Sequence, residues 1–181
     1  MASILNVDQI NNAAGTSGIA LDASTGKASF PNSVTIPNGA TMPAGSVVQV
    51  VSAVYGTQAY SSSQTFASTG LAASITPNSA SSKILVVVHQ NGVYKDGSNT
   101  AGVGIRLMRD ATELADFGDR TAGDNNIVNS VGAVSMSYLD APATTSSVTY
   151  ETRFKASSNV GGAYVQVYYA DSTITLMEIA Q

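Results

Sequence analysis

Residues 30–47 fall into three consecutive hexads: Phe30-Pro31-Asn32-Ser33-Val34-Thr35, Ile36-Pro37-Asn38-Gly39-Ala40-Thr41 and Met42-Pro43-Ala44-Gly45-Ser46-Val47. Each opens with a large apolar residue followed by proline. Proline lacks the N–H that a helix interior needs and clashes with the preceding turn. It also removes a ladder hydrogen bond from any central strand. The residue before each proline is pushed towards an extended conformation. The segment is therefore extended and stiff, with an apolar row on a fixed spacing. One extended chain has no interior in which to bury that row. Copies lying side by side would bury it, which points to a rod-like oligomer. The competing reading is a plain Pro/Gly linker lying on its own domain.

The distribution of charge bears on that choice. Only 11 % of the residues are charged, against about 25 % in ordinary globular proteins. Residues 28–82 contain no Asp, Glu, Lys, Arg or His at all. A soluble monomer keeps so long an uncharged surface only if much of it is covered or solvated by hydroxyls. An oligomer axis would cover it. The net charge of -4 argues against a nucleic-acid backbone as partner, which needs a basic face. There is no cysteine, so disulfides and thiolate metal sites are excluded. The first residues have neither the basic region nor the apolar core of a signal peptide. No run approaches the length of a membrane span. The expectation is a protein made in a cytoplasm and used intact, without membrane insertion.

Three regions follow along the chain. In residues 1–18, Ile4, Val7 and Ile10 are spaced for one stripe of a short helix, and the Asn11–Gly18 stretch breaks it. This apolar end suits docking onto another protein, or it is a frayed terminus. Residues 19–46 hold two short candidate strands, around 19–21 and 27–30, and the hexads. From Val47 onward, strand-like runs recur at regular spacing. Residues 64–68 and 71–75 flank a Thr69-Gly70 turn signal. Lys83 to His89 is apolar enough for a strand buried on both faces. Further runs lie at 103–108, 127–139, 163–169 and 173–179. Val148, Tyr150, Thr152 and Phe154 alternate with Thr149, Glu151, Arg153 and Lys155, the pattern of a half-buried strand. The fold class expected is all-β: an antiparallel β-sandwich head over 47–181, jelly-roll-like, preceded by the extended shaft. The C-terminal strand should be built into the sheet.

The residues give little support for catalysis. His89 is the only histidine, and it sits in the most apolar run, so a structural role outweighs proton transfer or metal binding. Asp110, Glu113, Asp116, Asp119 and Asp124 form an acidic stretch that would suit Ca²⁺ or a carboxylate pair. Arg109 and Arg120 are interleaved with it, which points instead to surface ion pairs. No Gly-x-Ser-x-Gly elbow accompanies the many serines. The expectation is no catalytic residue, no cofactor and no metal. Binding is easier to host. Tyr164, Tyr168 and Tyr169 cluster near the end, with Tyr94 and Tyr138 earlier; Tyr164 and Tyr168 would share one strand face, opposite Tyr169, and an exposed tyrosine stacks and hydrogen-bonds well. Loops around 95–100, 116–126 and 157–162 carry the turn residues. The candidate contact set is Lys95, Asp116, Asp119, Asn125, Asn159 and Tyr164.

Several motifs resemble fibre proteins of tailed bacteriophages, of the cyanophage and marine-phage type. They are Ser3-Ile4-Leu5-Asn6-Val7-Asp8, the Phe30-Pro31-Asn32 hexads and Pro43-Ala44-Gly45-Ser46-Val47-Val48-Gln49-Val50-Val51. Ser81-Ser82-Lys83-Ile84-Leu85-Val86, Tyr138-Leu139-Asp140-Ala141-Pro142 and Ile174-Thr175-Leu176-Met177-Glu178-Ile179 are also similar to them. The resemblance implies a homotrimeric virion appendage on the tail or capsid. Ile4, Leu5, Val7 and Ile10 would attach it to other virion proteins. Phe30, Ile36 and Met42 would face the three-fold axis of the shaft, and the head would meet a host-surface glycan or protein. Two alternatives stay open: a decoration or head-fibre protein on the capsid, and a glycan-degrading tailspike enzyme.

Overall fold

β-Branched and alternating runs become strands, and turn residues separate them. The computed structural model describes residues 9–11, 17–21, 28–29, 42–97, 100–122 and 129–181. The chain divides into two units, Met1–Thr41 and Met42–Gln181. In the first unit, β1 (Gln9–Asn11), β2 (Ser17–Leu21) and β3 (Ala28–Ser29) form an antiparallel sheet in the order β1-β2-β3. Ile10 therefore lies in a strand, opposite Ile19, and not at the end of the expected helix. Pairing of β1 with β2 satisfies its backbone groups, whereas one helical turn would leave most of them without partners. Ile4, Leu5, Val7, Phe30 and Ile36 lie outside the described residues.

Among the described residues the second unit contains ten strands: β4 (Val47–Tyr55), β5 (Ala59–Ser61), β6 (Ala67–Ile75), β7 (Lys83–Asp96), β8 (Val103–Arg109), β9 (Thr112–Gly118), β10 (Ser130–Asp140), β11 (Val148–Ala156), β12 (Gly162–Val165) and β13 (Ser172–Ile179). They form two antiparallel sheets. One runs β4-β13-β7-β12-β5, with β10 on the other edge of β7; the second runs β6-β11-β8-β9. The C-terminal strand β13 lies between β4 and β7, as its apolar sequence suggests. The Gly45 N–H donates to the Ala180 carbonyl at 2.8 Å, and the Ala180 N–H to that of Ser46 at 2.9 Å. These bonds tie the start of the unit to its end. Met42, the half-buried apolar residue of the third hexad, belongs to this unit.

The alternation expected for β11 holds: Tyr150, Thr152 and Phe154 are buried and the charged residues point outward. Two expectations need correction. Thr69-Gly70 does not turn the chain; it is a bulge inside one continuous strand, β6. The register against β11 shifts there, between Glu151 and Arg153. Gly70 adopts a φ of 85°, a left-handed conformation that glycine accepts freely. Second, β7 is not buried on both faces. Ile84, Val86 and Val88 are buried, Leu85 and Val87 only half-buried, and His89 is exposed.

Inward residues of both sheets share a core. One cluster joins Leu71, Ile75, Tyr150 and Leu107 from the second sheet with Ile84, Val86, Ile174 and Leu176 from the first. A second joins Val103, Ile105 and Phe154 with Val93, Ala163 and Val165. A buried chain of hydrogen bonds also crosses between the sheets. The Thr69 and Thr152 hydroxyls meet at 2.6 Å, and Thr152 donates to Gln90 Oε1 at 2.8 Å. Gln90 Nε2 then donates to Ser172 Oγ at 2.9 Å. Buried polar groups must be paired, and each link here satisfies the next.

Candidate binding surfaces

The outer faces of the two sheets differ in chemistry. On the second sheet, Arg106 pairs with Glu113 and Asp116 and lies 3.5 Å over the Phe66 ring. Lys155 pairs with Asp119 at 2.9 Å. Asp116 and Asp119 are thus held by cations from β8 and β11. The Arg109 partner is Asp140, at 2.7 Å. Among the described residues no three His, Cys, Asp or Glu side chains come together in a metal-holding group. This face is charged and solvated.

The first sheet presents the opposite surface. Register places Val50 beside Met177, Met177 beside Leu85 and Leu85 beside Leu139. One step along lie Ser52, Thr175, Val87 and Ser137, and then Val54, Thr173, His89 and Ser135. Val50, Val54 and Leu139 are each more than half exposed. Across these three rows the only ionisable side chain is His89, whose Nδ1 lies 2.7 Å from Ser135 Oγ. Sequence reading missed this surface as a unit. Its signal was present in the odd residues of β13, Thr173, Thr175, Met177 and Ile179, which carry no charge. Only the register reveals that they lie beside Val50, Leu85 and Leu139.

The same outer face ends in tyrosines. Gly92, with a φ of 57°, interrupts the alternation of β7. A side chain there would collide with the Val167 backbone. After this bulge Val93 and Lys95 point inward, and Tyr94 and Asp96 outward. Lys95 is therefore fully buried, correcting its expected place on a contact loop. Tyr94 pairs with Tyr164 on β12, and Tyr164 with Tyr60 on β5. The Tyr60 and Tyr164 ring centroids are 4.6 Å apart, and those of Tyr94 and Tyr164 are 5.4 Å apart. A hydrogen bond to Asp96, together with burial and negative charge, pushes the Tyr164 hydroxyl pKa up to about 12. The Asp96 carboxylate also accepts from the Gly162 N–H at 2.8 Å.

Strand parity does not govern Tyr168 and Tyr169. Strand β12 ends at Val165, and Val167–Tyr169 form a 3-10 turn. Tyr168 nevertheless reaches Tyr94, with ring centroids 6.4 Å apart. Asn159 is exposed, and Asn125 lies outside the described residues. Of the candidate contact residues, only Tyr164 joins the aromatic group. Tyr60 was the member that sequence missed, because no local pattern ties Ala59-Tyr60-Ser61 to β12. The sequence matches no protein-family model and no curated protein.

Proposed function

We propose that this chain is a structural subunit of a bacteriophage virion fibre, with no catalytic step. It forms a homotrimer, attaches through its N-terminal residues and presents a β-sandwich head to the host surface. The observation that carries the reading is the contrast between the two outer faces of the head. One is laced with ion pairs and suits water. The other, built on β4, β13, β7 and β10, is almost free of charge and lined by valine, leucine and methionine together with threonine and serine. Uncharged apolar patches of this kind mark contact surfaces. A second copy of the same chain meets it without leaving a charge unpaired. The Pro hexads and the uncharged stretch over 28–82 lead into β4 and support the same assembly. The sandwich description rests on the core that the two sheets share. Three heads on one stem would raise avidity without strong individual contacts.

Sedimentation of the full chain tests the reading. The expected mass is that of three chains, retained on dilution. A Leu85→Glu, Val87→Glu double variant should sediment as a smaller species with the β circular-dichroism signal intact. A wild-type mass of one chain of 18.4 kDa would sink the proposal.

A further inference from the structure

The turn after β12 is costly in a way that the fold does not require. Gln166, Tyr168 and Tyr169 all have positive φ, at 56°, 56° and 62°. They are three of the five non-glycine residues in that region among the described residues. Each is disfavoured relative to ordinary backbone. Glycine or asparagine would reverse the chain without that cost. Within the turn Gln166 and Val167 enter the interior. The strained backbone instead holds two large rings outward: Tyr168 is 73 % exposed and Tyr169 fully exposed. Strain kept at exposed aromatics points to a task at the surface.

A cleft of about 400 Å³ opens beside these rings, lined by Gly56, Gln58, Gln166, Tyr168 and Tyr169. Its size suits a small organic ligand. Gln166 is 1 % exposed. Its Nε2 donates to Ser172 Oγ at 3.3 Å, but its Oε1 has no partner. The polar chain that crosses the core from Thr69 to Ser172 thus continues to Gln166, a residue of the cleft wall with an unpaired buried oxygen. An orphaned buried amide is costly and calls for a polar partner.

The chemistry of the walls narrows the ligand. Tyrosine rings offer apolar faces with a polar hydroxyl, and two glutamines offer both donors and acceptors. No cation lines the cleft. Asp171 stands at its edge, close enough that a Cβ on Gly56 would collide with its carboxylate. Anionic groups are therefore disfavoured, and a purely apolar ligand would leave the amides unpaired. We propose that this cleft binds a neutral saccharide, with the exposed tyrosines stacking on a sugar ring and Gln58 and Gln166 reading its hydroxyls. The inference deepens the host-binding role of the head and rests on that reading for the source of its ligand, a surface glycan.

Saturation-transfer NMR on the full chain tests it, with the methyl glycosides of glucose, galactose and mannose, N-acetylglucosamine, and sialic acid as anionic control. At least one neutral probe should bind with Kd near the millimolar range, and sialic acid should not bind. Tyr169→Ala should weaken that binding about tenfold while melting temperature and sedimenting mass stay unchanged. Gln58→Ala should act in the same direction. No transfer to any neutral probe, or equal binding by wild type and Tyr169→Ala, overturns the site. A Tyr169→Ala variant that loses oligomeric mass but keeps saccharide binding also overturns it, making the rings a subunit contact. Mass and binding are read separately. A wild-type monomer that binds saccharide removes the fibre reading and keeps the site, and a trimer that binds none does the reverse.

Discussion

Glu178 carries a formal charge into a fully buried position. It is acceptable there because donors surround it. Gln49 Nε2 donates to it at 2.6 Å, the Asn78 backbone N–H at 2.8 Å and Asn78 Nδ2 at 3.2 Å. Burial pushes the carboxyl pKa up, but the bonds from Gln49, Ser82 and the backbone of Asn78 and Ser79 outweigh it and hold it below its ordinary value. A depressed carboxyl stabilises the fold fully above the unfolded pKa, about 4.3 for glutamate, and that stability is lost as pH falls through the folded pKa. Glu178→Gln should therefore lower stability at neutral pH by about 1–2 kcal/mol and flatten the loss on acidification. Melting temperatures of both proteins at pH 7 and at about pH 3 check this; a gap of equal size at both values would remove Glu178 from the acid response. Half of this site was legible. Glu178 shares the parity of Ile174 and Leu176, so alternation alone turns it inward. Its partners were not, because Gln49 and Asn78 are brought to it by the β4–β13 pairing and by a loop. Asp140 is similar: Arg109 and Tyr150 both donate to it at 2.7 Å, and neither partner follows from local sequence.

At the scale of elements, periodicity served well where one strand kept one register. β11 appears where alternation put it, and β13 where its apolar run put it. It failed where a bulge resets the parity, because glycine signals a turn and a bulge alike. Thr69-Gly70 and Gly92 are the two cases; Lys95 moved from loop to core at the second. Gly70 offers a direct measure of what such a bulge costs to alter. Its φ is 85°, and a Cβ there would collide with the Tyr55 ring. Gly70→Ala combines a left-handed alanine with displacement of an aromatic from the edge of the core. The expected loss is about 2–4 kcal/mol, read as a fall in denaturation midpoint at unchanged m-value. The change also bears on how β6 meets β4, so the effect should be partly relieved by Tyr55→Ala in the same chain. If Gly70→Ala alone leaves the midpoint where it was, the bulge is not under the constraint that its conformation implies.

On the scale of the whole molecule, composition carried more than pattern. The uncharged run over 28–82 called for a covered surface, and the outer face of β4, exposed in the single chain, is one of its strands. The extent of that face across β13, β7 and β10 was not legible, since it depends on pairings between residues far apart in sequence. The two compact units allow their contributions to assembly to be separated. Both core clusters lie wholly within Met42–Gln181, so a fragment of those residues should fold alone with a melting temperature close to that of a dissociated full chain. Its association should nevertheless be weaker. The hexads, with Phe30 and Ile36 in their apolar row, would hold three chains at high local concentration, and the fragment has to assemble through the head alone. Sedimentation over a dilution series should then show a stable trimer for the full chain and a concentration-dependent equilibrium for the fragment. Ile36→Asp in the full chain should move it towards the behaviour of the fragment, because a carboxylate on the axis must be desolvated beside two others. A fragment and an Ile36→Asp variant that remain as trimeric as the full chain at every dilution would leave the hexads as a linker and give the whole of assembly to the outer face of the head.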